Sequence, residues 1–283
     1  MRAAFTALLV AVGVAFVLSV PGAVAGRTGL IAFSIEQGDY SDLYVIRPDG
    51  TGLRRLTNTS DSTEEAPTWS PDGRRIVYSH HGFVGVPGSV DVIGVAGTGS
   101  HRLFAVPDGW AYPTLSPDGR WIAFTEWLGD PGMYIVRSDG HGLHKLPGVG
   151  GEPARPTWSP DSKRLAYAGG EGIRVVGLDG SGARRLTHSG YSPDWSPDGK
   201  QIALSYGDPG KIWVVSADGS RARQLTRGKT YDTVPTWSSD GRQIAFIRST
   251  NFSGGGQLYV MDANGGRQHS LGPSPADMPA WQP

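Results

Sequence analysis

One short segment recurs along this chain and limits what the rest of it can fold into. The segment reads proline, a variable residue, tryptophan, serine, proline, aspartate and glycine, and an apolar triplet follows two residues later. It predicts a strand, a tight turn and a second strand, because proline presets φ at the second turn position and glycine accepts a positive φ at the last. With single-residue departures, copies begin at Pro67, Pro113, Pro156, Pro193 and Pro235.

Each copy leads into two further predicted strands. A run rich in β-branched and aromatic residues, such as Leu43–Ile46 or Ile212–Val215, comes first. An Asp-Gly or Asn-Gly turn follows, which is the strongest short-range signal for a hairpin, and then a last strand such as Leu53–Thr57. No segment shows apolar residues at a sustained helical spacing of 3.6 residues. The sequence therefore predicts all-β units of four strands, at positions that we call A to D, with the tryptophan in A and the apolar triplet in B.

The spacing of the units and the two ends of the chain predict how the units assemble. The repeated tryptophans, with Leu115 in one copy, lie 37 to 46 residues apart, which is typical of a propeller blade. The chain opens with a B strand at Gly29–Phe33 and closes with an A strand at Met278–Pro283. These fragments complete one unit only if the ends meet. We therefore predict a six-bladed β-propeller over residues 26–283, in which the C-terminal strand completes the N-terminal blade.

Residues 1–25 predict an export signal. Arg2 provides a positive start, an apolar run follows, and Ala23-Val24-Ala25 offers small residues for cleavage. An uncleaved membrane anchor is the alternative, because the apolar run is just long enough to span a bilayer. The small-residue motif favours cleavage, so we expect a periplasmic or extracellular protein with no membrane span after cleavage. We expect the mature protein to be a monomer.

Composition argues against several classes of function. The chain has 26 Lys and Arg residues and 26 Asp and Glu residues, which disfavours binding of nucleic acid through bulk charge. It has no cysteine, so it has neither a thiolate metal site nor a cysteine nucleophile. There is no Gly-x-Ser-x-Gly nucleophile motif, and the seven histidines show no metal-ligand spacing. We therefore expect no catalytic residue, no metal and no cofactor.

The repeated residues have structural interpretations. The tryptophans are expected to fill the wedges between blades, because both faces of a blade are buried. The aspartates of the tight turns are expected to accept hydrogen bonds from the backbone. Arginines on the outermost strands are expected to discourage pairing with other chains, and a protein-binding rim is the alternative. These arginines are Arg54, Arg55, Arg184, Arg185, Arg223 and Arg267.

The repeat resembles that of a known family. The unit Pro-x-Trp-Ser-Pro-Asp-Gly-x-x-Ile-Ala-Phe, followed by a strand and Asp-Gly, is similar to the WD-like repeat of the TolB-type propellers, over nearly all of residues 29–283. The resemblance implies a six-bladed propeller in the periplasm or outside the cell. The same fold hosts binding scaffolds, regulatory domains of peptidases and some lyases. TolB itself has an α/β domain ahead of its propeller, whereas only about four residues separate the predicted cleavage site from the first strand here.

One face of the predicted propeller is the better candidate for binding. The short A–B and C–D turns share one face, and the variable B–C and D–A loops share the other, where binding residues are favoured. The D–A loops lie nearest the channel because A is innermost. Their aromatic and charged residues, our candidate partner-binding set, are Glu64, Glu65, Trp110, Tyr112, Glu152, Arg155, Tyr191, Tyr231, Asp232 and Asp277.

The sequence favours a non-enzymatic protein that binds a protein or peptide partner of the cell envelope at the channel mouth. One alternative is a propeller-type carbohydrate-binding protein or a lyase acting on acidic sugars. A convergent set of His, Arg and metal-binding carboxylates would favour that alternative, and the chain shows only scattered candidates. A purely structural envelope protein is the other alternative.

Overall fold

The computed structural model describes residues 29–82, 87–106, 111–126, 130–149, 153–251 and 255–283. The predicted export signal lies outside the described residues. Within them, every regular element is a strand, and no helix has the length and apolar character that crossing a bilayer requires.

The strands arise where the β-branched and aromatic runs of the repeat alternate with Gly- and Pro-containing turns. In chain order they are β1 Ile31–Gln37, β2 Tyr40–Ile46, β3 Arg54–Arg55, β4 Thr63–Trp69, β5 Arg75–His81, β6 Gly88–Gly94, β7 His101–Val106, β8 Thr114–Leu115, β9 Trp121–Glu126, β10 Gly132–Arg137, β11 His144–Lys145, β12 Ala154–Trp158, β13 Arg164–Ala168, β14 Ile173–Gly177, β15 Arg184–Arg185, β16 Tyr191–Trp195, β17 Gln201–Tyr206, β18 Lys211–Ser216, β19 Ala222–Gln224, β20 Tyr231–Trp237, β21 Gln243–Ser249, β22 Gln257–Asp262, β23 His269–Ser270 and β24 Ala276–Trp281.

In the described part of the chain, these strands form six antiparallel sheets of four strands, one for each predicted blade. Blade 1 has the order β24-β1-β2-β3, and blades 2 to 6 use β4–β7, β8–β11, β12–β15, β16–β19 and β20–β23 in turn. The last strand pairs with the first, with Ile31 opposite Trp281 and Ala32 opposite Ala280. The predicted six-bladed propeller, closed by the C-terminal strand, is confirmed.

The core lies in the wedges between adjacent blades. Trp69 of blade 2 packs with Ala32 and Leu43 of blade 1, and its indole Nε1 donates a hydrogen bond to the backbone oxygen of Ala280 at 3.0 Å. Trp158 makes the equivalent bond to Thr114 of blade 3. The apolar B strands are buried on both faces, which is why they read as continuous apolar runs. The tryptophans therefore hold neighbouring blades together.

The A–B turns repeat one hydrogen-bond pattern. In blade 2, Asp72 Oδ1 accepts bonds from Ser70 Oγ at 2.6 Å and from the backbone nitrogen of Arg74 at 3.0 Å. The aspartate and serine of blades 3 to 6 are arranged in the same way. The carboxylates thus stabilise the turns, which are short and alike on this side of the propeller. We call this side the turn face and the opposite side the loop face.

Three of the outer-strand arginines join one blade to the next, beyond the edge-protecting role expected from the sequence. Arg184 of blade 4 donates from its guanidinium to the backbone oxygen of Ala217 in blade 5 at 2.8 Å. Arg223 of blade 5 reaches the oxygen of Asn264 in blade 6 at 2.9 Å, and Arg54 of blade 1 reaches Val95 of blade 2. Each arginine therefore stabilises the C–D turn of its neighbour.

Candidate functional site

The predicted site residues lie at the loop-face ends of the innermost strands, and most are not in loops. Glu64 and Glu65 belong to β4, Arg155 to β12, Tyr191 to β16, Tyr231 and Asp232 to β20, and Asp277 to β24. Tyr112 directly precedes Pro113 and β8. The loop placement expected from the sequence is therefore wrong for seven of them, because these strands continue past the repeated proline. Trp110 and Glu152 lie outside the described residues.

A bulge before the repeated proline explains this continuation. The residue before it has a positive φ in five blades and the strand register shifts there. Such a bulge adds one residue to the strand and redirects the side chains that follow it. The left-handed conformation of a residue other than glycine costs about 1–3 kcal/mol. The five residues are Ala66, Arg155, Ser192, Val234 and Met278, with φ between 48° and 51°. Blade 3 differs, since β8 begins only at Thr114.

Four predicted residues from four blades converge at the channel mouth, and we call them the mouth group: Glu65, Tyr112, Arg155 and Asp277. The guanidinium carbon of Arg155 lies 5.0 Å from the ring centre of Tyr112. Burial raises the pKa of Tyr112, and the charges of Arg155, Glu65 and Asp277 all act on it. The mouth group therefore combines an aromatic ring, a cation and two acids within mutual electrostatic reach.

The two acids of the mouth group, Asp277 and Glu65, each have a partner within the protein. Burial raises the pKa of the Asp277 carboxyl group, the charge of Arg155 opposes this rise, and the charge of Glu65 adds to it. Its Oδ1 accepts a bond from the backbone nitrogen of Met278 at 2.8 Å. Glu65 is held from the other side, because its Oε1 lies 3.2 Å from Nε2 of His81. The acids are thus fixed in position before any ligand arrives.

Tyr191 and Tyr231 form a second cluster on the loop face, together with Asp208. The hydroxyl group of Tyr231 donates to Asp208 Oδ1 at 3.1 Å. Burial raises the pKa of Tyr191, and the charge of Asp208 raises it further. A Cβ atom added at Gly210 would lie 2.3 Å from the Tyr191 hydroxyl, so a larger residue there would displace the tyrosine ring. Sequence analysis missed Asp208, because it sits in a B–C loop among turn-forming residues.

Two of the predicted site residues are buried inside the scaffold. Glu64 is 1% exposed and accepts bonds from Thr59 Oγ1 at 2.6 Å and Ser62 Oγ at 2.8 Å. Its Oε1 also lies 3.1 Å from Nδ1 of His80, and this contact raises the pKa of His80. Asp232 is fully buried and binds Arg248 through both carboxylate oxygens, at 2.6 and 3.0 Å. These two acids stabilise blades 2 and 6 and cannot contact a partner.

A further acid in the channel ring was missed by the sequence analysis. Asp194 stands between Pro193 and Trp195, where four other blades have threonine. Its carboxylate links three blades, because Oδ2 accepts from the Trp237 nitrogen at 2.7 Å and Oδ1 from Thr157 Oγ1 at 3.1 Å. Burial raises the pKa of Asp194 to about 6. The aspartate at a position where the repeat has threonine is the sequence signal that could have identified Asp194 as a functional candidate.

Two pairs of histidine and carboxylate side chains lie at this face. His80 with Glu64 and His81 with Glu65 are the pairs in blade 2. Among the described residues, no group of three His, Asp or Glu side chains is arranged to hold a metal ion.

Comparison with known proteins agrees with this fold. The protein-family model of the TolB beta propeller domain matches residues 186–281 of this chain. A 74-residue segment is 39% identical to the Tol-Pal system protein TolB 1 of Novosphingobium aromaticivorans, and it covers 26% of this chain and 16% of that relative. The resemblance to the TolB-type propellers is confirmed.

Solved structures extend the likeness from this segment to the whole propeller fold. TolB from Acinetobacter baumannii superposes with a TM-score of 0.77 at 22% identity, over 90% of this chain and 67% of that one. An oligogalacturonate lyase in complex with manganese superposes with a TM-score of 0.55 at 15% identity, over 77% of this chain and 70% of that one. At these identities, the likeness shows the propeller fold alone.

Proposed function

We propose that this TolB-type propeller is an exported, non-enzymatic binding protein that captures a protein or peptide segment of the cell envelope at its channel mouth. The observation that carries the proposal is the convergence of Glu65, Tyr112, Arg155 and Asp277 from four blades. Variable, functional groups concentrated at one end of a rigid scaffold are typical of a binding site.

The chemistry of the mouth group suits a polypeptide. Tyrosine and arginine are enriched among residues that dominate protein interfaces, because they bury area while keeping polar contacts. The stacking of Arg155 on Tyr112 at 5.0 Å fixes both side chains, which lowers the entropy lost on binding. The acids on either side can bind backbone amides or a basic side chain of the partner.

Export is the second part of the proposal. It is supported by Arg2, the apolar run that follows and Ala23-Val24-Ala25. The relatives that carry the name of the Tol-Pal system also favour a role in the cell envelope. N-terminal sequencing of the exported protein is expected to begin at Gly26, whereas an intact Met1 in the membrane fraction would contradict cleavage.

The binding proposal is tested by capture from the envelope fraction of the exporting cell with immobilised protein. Arg155→Ala is the informative variant, because Ala66 already adopts the same backbone conformation in blade 2, with φ of 50° against 48°. Lys200→Ala, in a tight turn of the opposite face, is the matched control. Quantitative mass spectrometry identifies the captured proteins.

We expect a specific protein to be captured by the parent and by the control but at least about tenfold less by Arg155→Ala, as for truncation of a dominant interface residue. The melting temperature should be nearly the same for all three proteins. Equal capture by Arg155→Ala would contradict binding at the mouth, and so would loss of capture by Lys200→Ala.

A further inference from the structure

A pocket opens on the turn face at the end of blade 4. Its volume is about 550 Å³, and both the A–B turn and the C–D turn of this blade line it. The corresponding cleft of blade 2, beside Arg75 and Val92, measures about 20 Å³, which is room for about one water molecule. Sites for small molecules measure about 300–1,000 Å³, and the pocket of blade 4 is within that range.

The wall of the pocket includes a glycine where most blades have a side chain. Gly177 ends β14, and the equivalent position holds an arginine, a serine and an aspartate in blades 3, 5 and 6. A Cβ atom added at Gly177 would lie 2.9 Å from Asp179 Oδ1, so the glycine lets the C–D turn fold back closely. Blade 2 shares the glycine, but Leu103 lines its cleft, whereas Arg184 lines that of blade 4. Blade 4 therefore combines an open position with charged walls.

The charged groups of the lining are mostly basic and are held in place. They are Lys163, Arg164, Arg184 and Asp179. Blade 5 positions both arginines, because the guanidinium carbon of Arg164 lies 5.0 Å from the ring centre of Trp195 and Arg184 donates to the backbone oxygen of Ala217. The carboxylate is engaged within its own turn, since hydrogen bonds from Ser181 lower the pKa of Asp179.

The basic side chains of the A–B turn keep their donors free. The ammonium group of Lys163 has no hydrogen-bond partner among the described residues. Nη2 of Arg164 lies 3.9 Å from Asp161 Oδ2, which is beyond hydrogen-bond distance. The other oxygen of that carboxylate already accepts bonds from Ser159 Oγ at 2.5 Å and from the Lys163 backbone nitrogen at 3.1 Å. The N–H groups of both basic side chains are therefore available to an anion.

We propose that this pocket binds a small organic molecule through a phosphate monoester group. Such a group carries a charge of about −1.5 to −2 at pH 7 and three acceptor oxygens, which matches three cations set against one carboxylate. The guanidinium of arginine offers paired donors that fit phosphate oxygens. Val175 and Leu178 supply an apolar wall for the organic part. The inference does not depend on the proposed function, because the mouth group lies on the loop face.

Calorimetric titration of the full chain with phenyl phosphate tests the proposal, and benzoate and inorganic phosphate are the comparison anions. Benzoate keeps the ring but has a single charge, and inorganic phosphate lacks the organic part. We expect phenyl phosphate to bind at least about tenfold more tightly than either, because each charge-assisted hydrogen bond and the apolar wall add to its affinity. No binding of phenyl phosphate up to millimolar concentrations would overturn the proposal, and so would equal binding of benzoate.

A pair of matched double variants locates the site. Lys163→Gln with Arg164→Gln removes two positive charges from the pocket, whereas Arg74→Gln with Arg75→Gln removes two from the same positions of blade 2, beside the small cleft. We expect the dissociation constant of phenyl phosphate to rise at least about tenfold in the blade 4 variant and to stay unchanged in the blade 2 variant. Equal weakening in both would show attraction by bulk charge alone and would contradict the proposal.

Amide chemical shifts of the parent provide a test that needs no variant. Phenyl phosphate is expected to shift the amide signals of Ser181 and Gly182, which line the pocket, and shifts confined to other blades would refute the site. Vesicles that contain phosphatidic acid present the same group on a lipid. Competition of these vesicles with phenyl phosphate would identify a lipid headgroup as the source of the monoester, and the absence of competition would identify a soluble molecule.

Discussion

The side-chain oxygen Oε1 of Gln282 accepts a hydrogen bond from the backbone nitrogen of Leu30 at 2.8 Å, although the two residues are 252 positions apart. The backbone nitrogen of Gln282 donates in return to the oxygen of Leu30, also at 2.8 Å. Ser70 and Arg75 form the same pair of bonds in the turn of blade 2, through Ser70 Oγ and the Arg75 backbone. Gln282 thus replaces a covalent turn and seals the two ends of the chain.

We expect Gln282→Ala to weaken the closure of the ring. The substitution removes the bond to Leu30 and a second one, from Nε2 to the backbone oxygen of Gly73 at 2.7 Å. Lost hydrogen bonds of this kind lower the free energy of unfolding by about 1–3 kcal/mol. Denaturant unfolding measures the change, and Gln201→Ala, at an exposed glutamine of β17, is the control. Equal stability of the two variants would show that the amide does not seal the ring.

The carboxyl group of Asp194 predicts a dependence of stability on pH. Because burial raises its pKa to about 6, against about 3.9 in an unfolded chain, the folded state holds the proton more tightly. This contribution to stability is complete below about pH 4 and is lost as the pH rises through about 6.

Asp194→Thr isolates this contribution. Thr68 is the equivalent residue of blade 2 and accepts the corresponding bond, from the Leu115 nitrogen at 3.3 Å, so threonine suits the position. Relative to the parent, the variant should gain about 1–3 kcal/mol of unfolding free energy between pH 4.5 and 7.5. Denaturant unfolding at several pH values measures the difference. A difference that does not change with pH would mean that Asp194 ionises as freely as in the unfolded chain.

Neighbouring arginines of β15 should differ in their effect on stability. Arg184 reaches two backbone oxygens of blade 5, those of Ala217 and Asp218, whereas Arg185 pairs with the exposed Glu171. We expect Arg184→Ala to lower the free energy of unfolding by about 0.5–1.5 kcal/mol and Arg185→Ala to have little effect, since exposed ion pairs contribute about 0–1 kcal/mol. Thermal and denaturant unfolding of the two variants provide the comparison. The reverse order would refute a blade-joining role for Arg184.

The fold could be predicted from the sequence because its signals are local and repeated. The tight turn at Ser70–Gly73 needs only its own residues, and the unmatched ends at Gly29–Phe33 and Met278–Pro283 require closure. The position of the site residues could not be predicted. The left-handed conformation of Arg155 arises from a bulge, and bulges depend on how two strands align.

The burial of Asp232 and the structural role of three histidines could not be predicted either, because both depend on the register of the strands. Asp232 is buried because Arg248 lies beside it on β21, sixteen residues away in the chain. His101, His144 and His269 each pair with the same position of the C strand as Arg54, Arg184 and Arg223 do in other blades. These histidines are therefore variants of a structural position, which the sequence shows only after the strands are aligned.

The central claim, binding at the channel mouth, is tested most directly by cross-linking in the exporting cell. A photoreactive phenylalanine analogue is placed at position 112 in the mouth group and, as the control, at position 200 in a tight turn of the opposite face. Because a bound segment must cover the ring of Tyr112, irradiation is predicted to give one covalent adduct at position 112 and none at position 200. Adducts at position 200 alone, or at neither position, would contradict the claim.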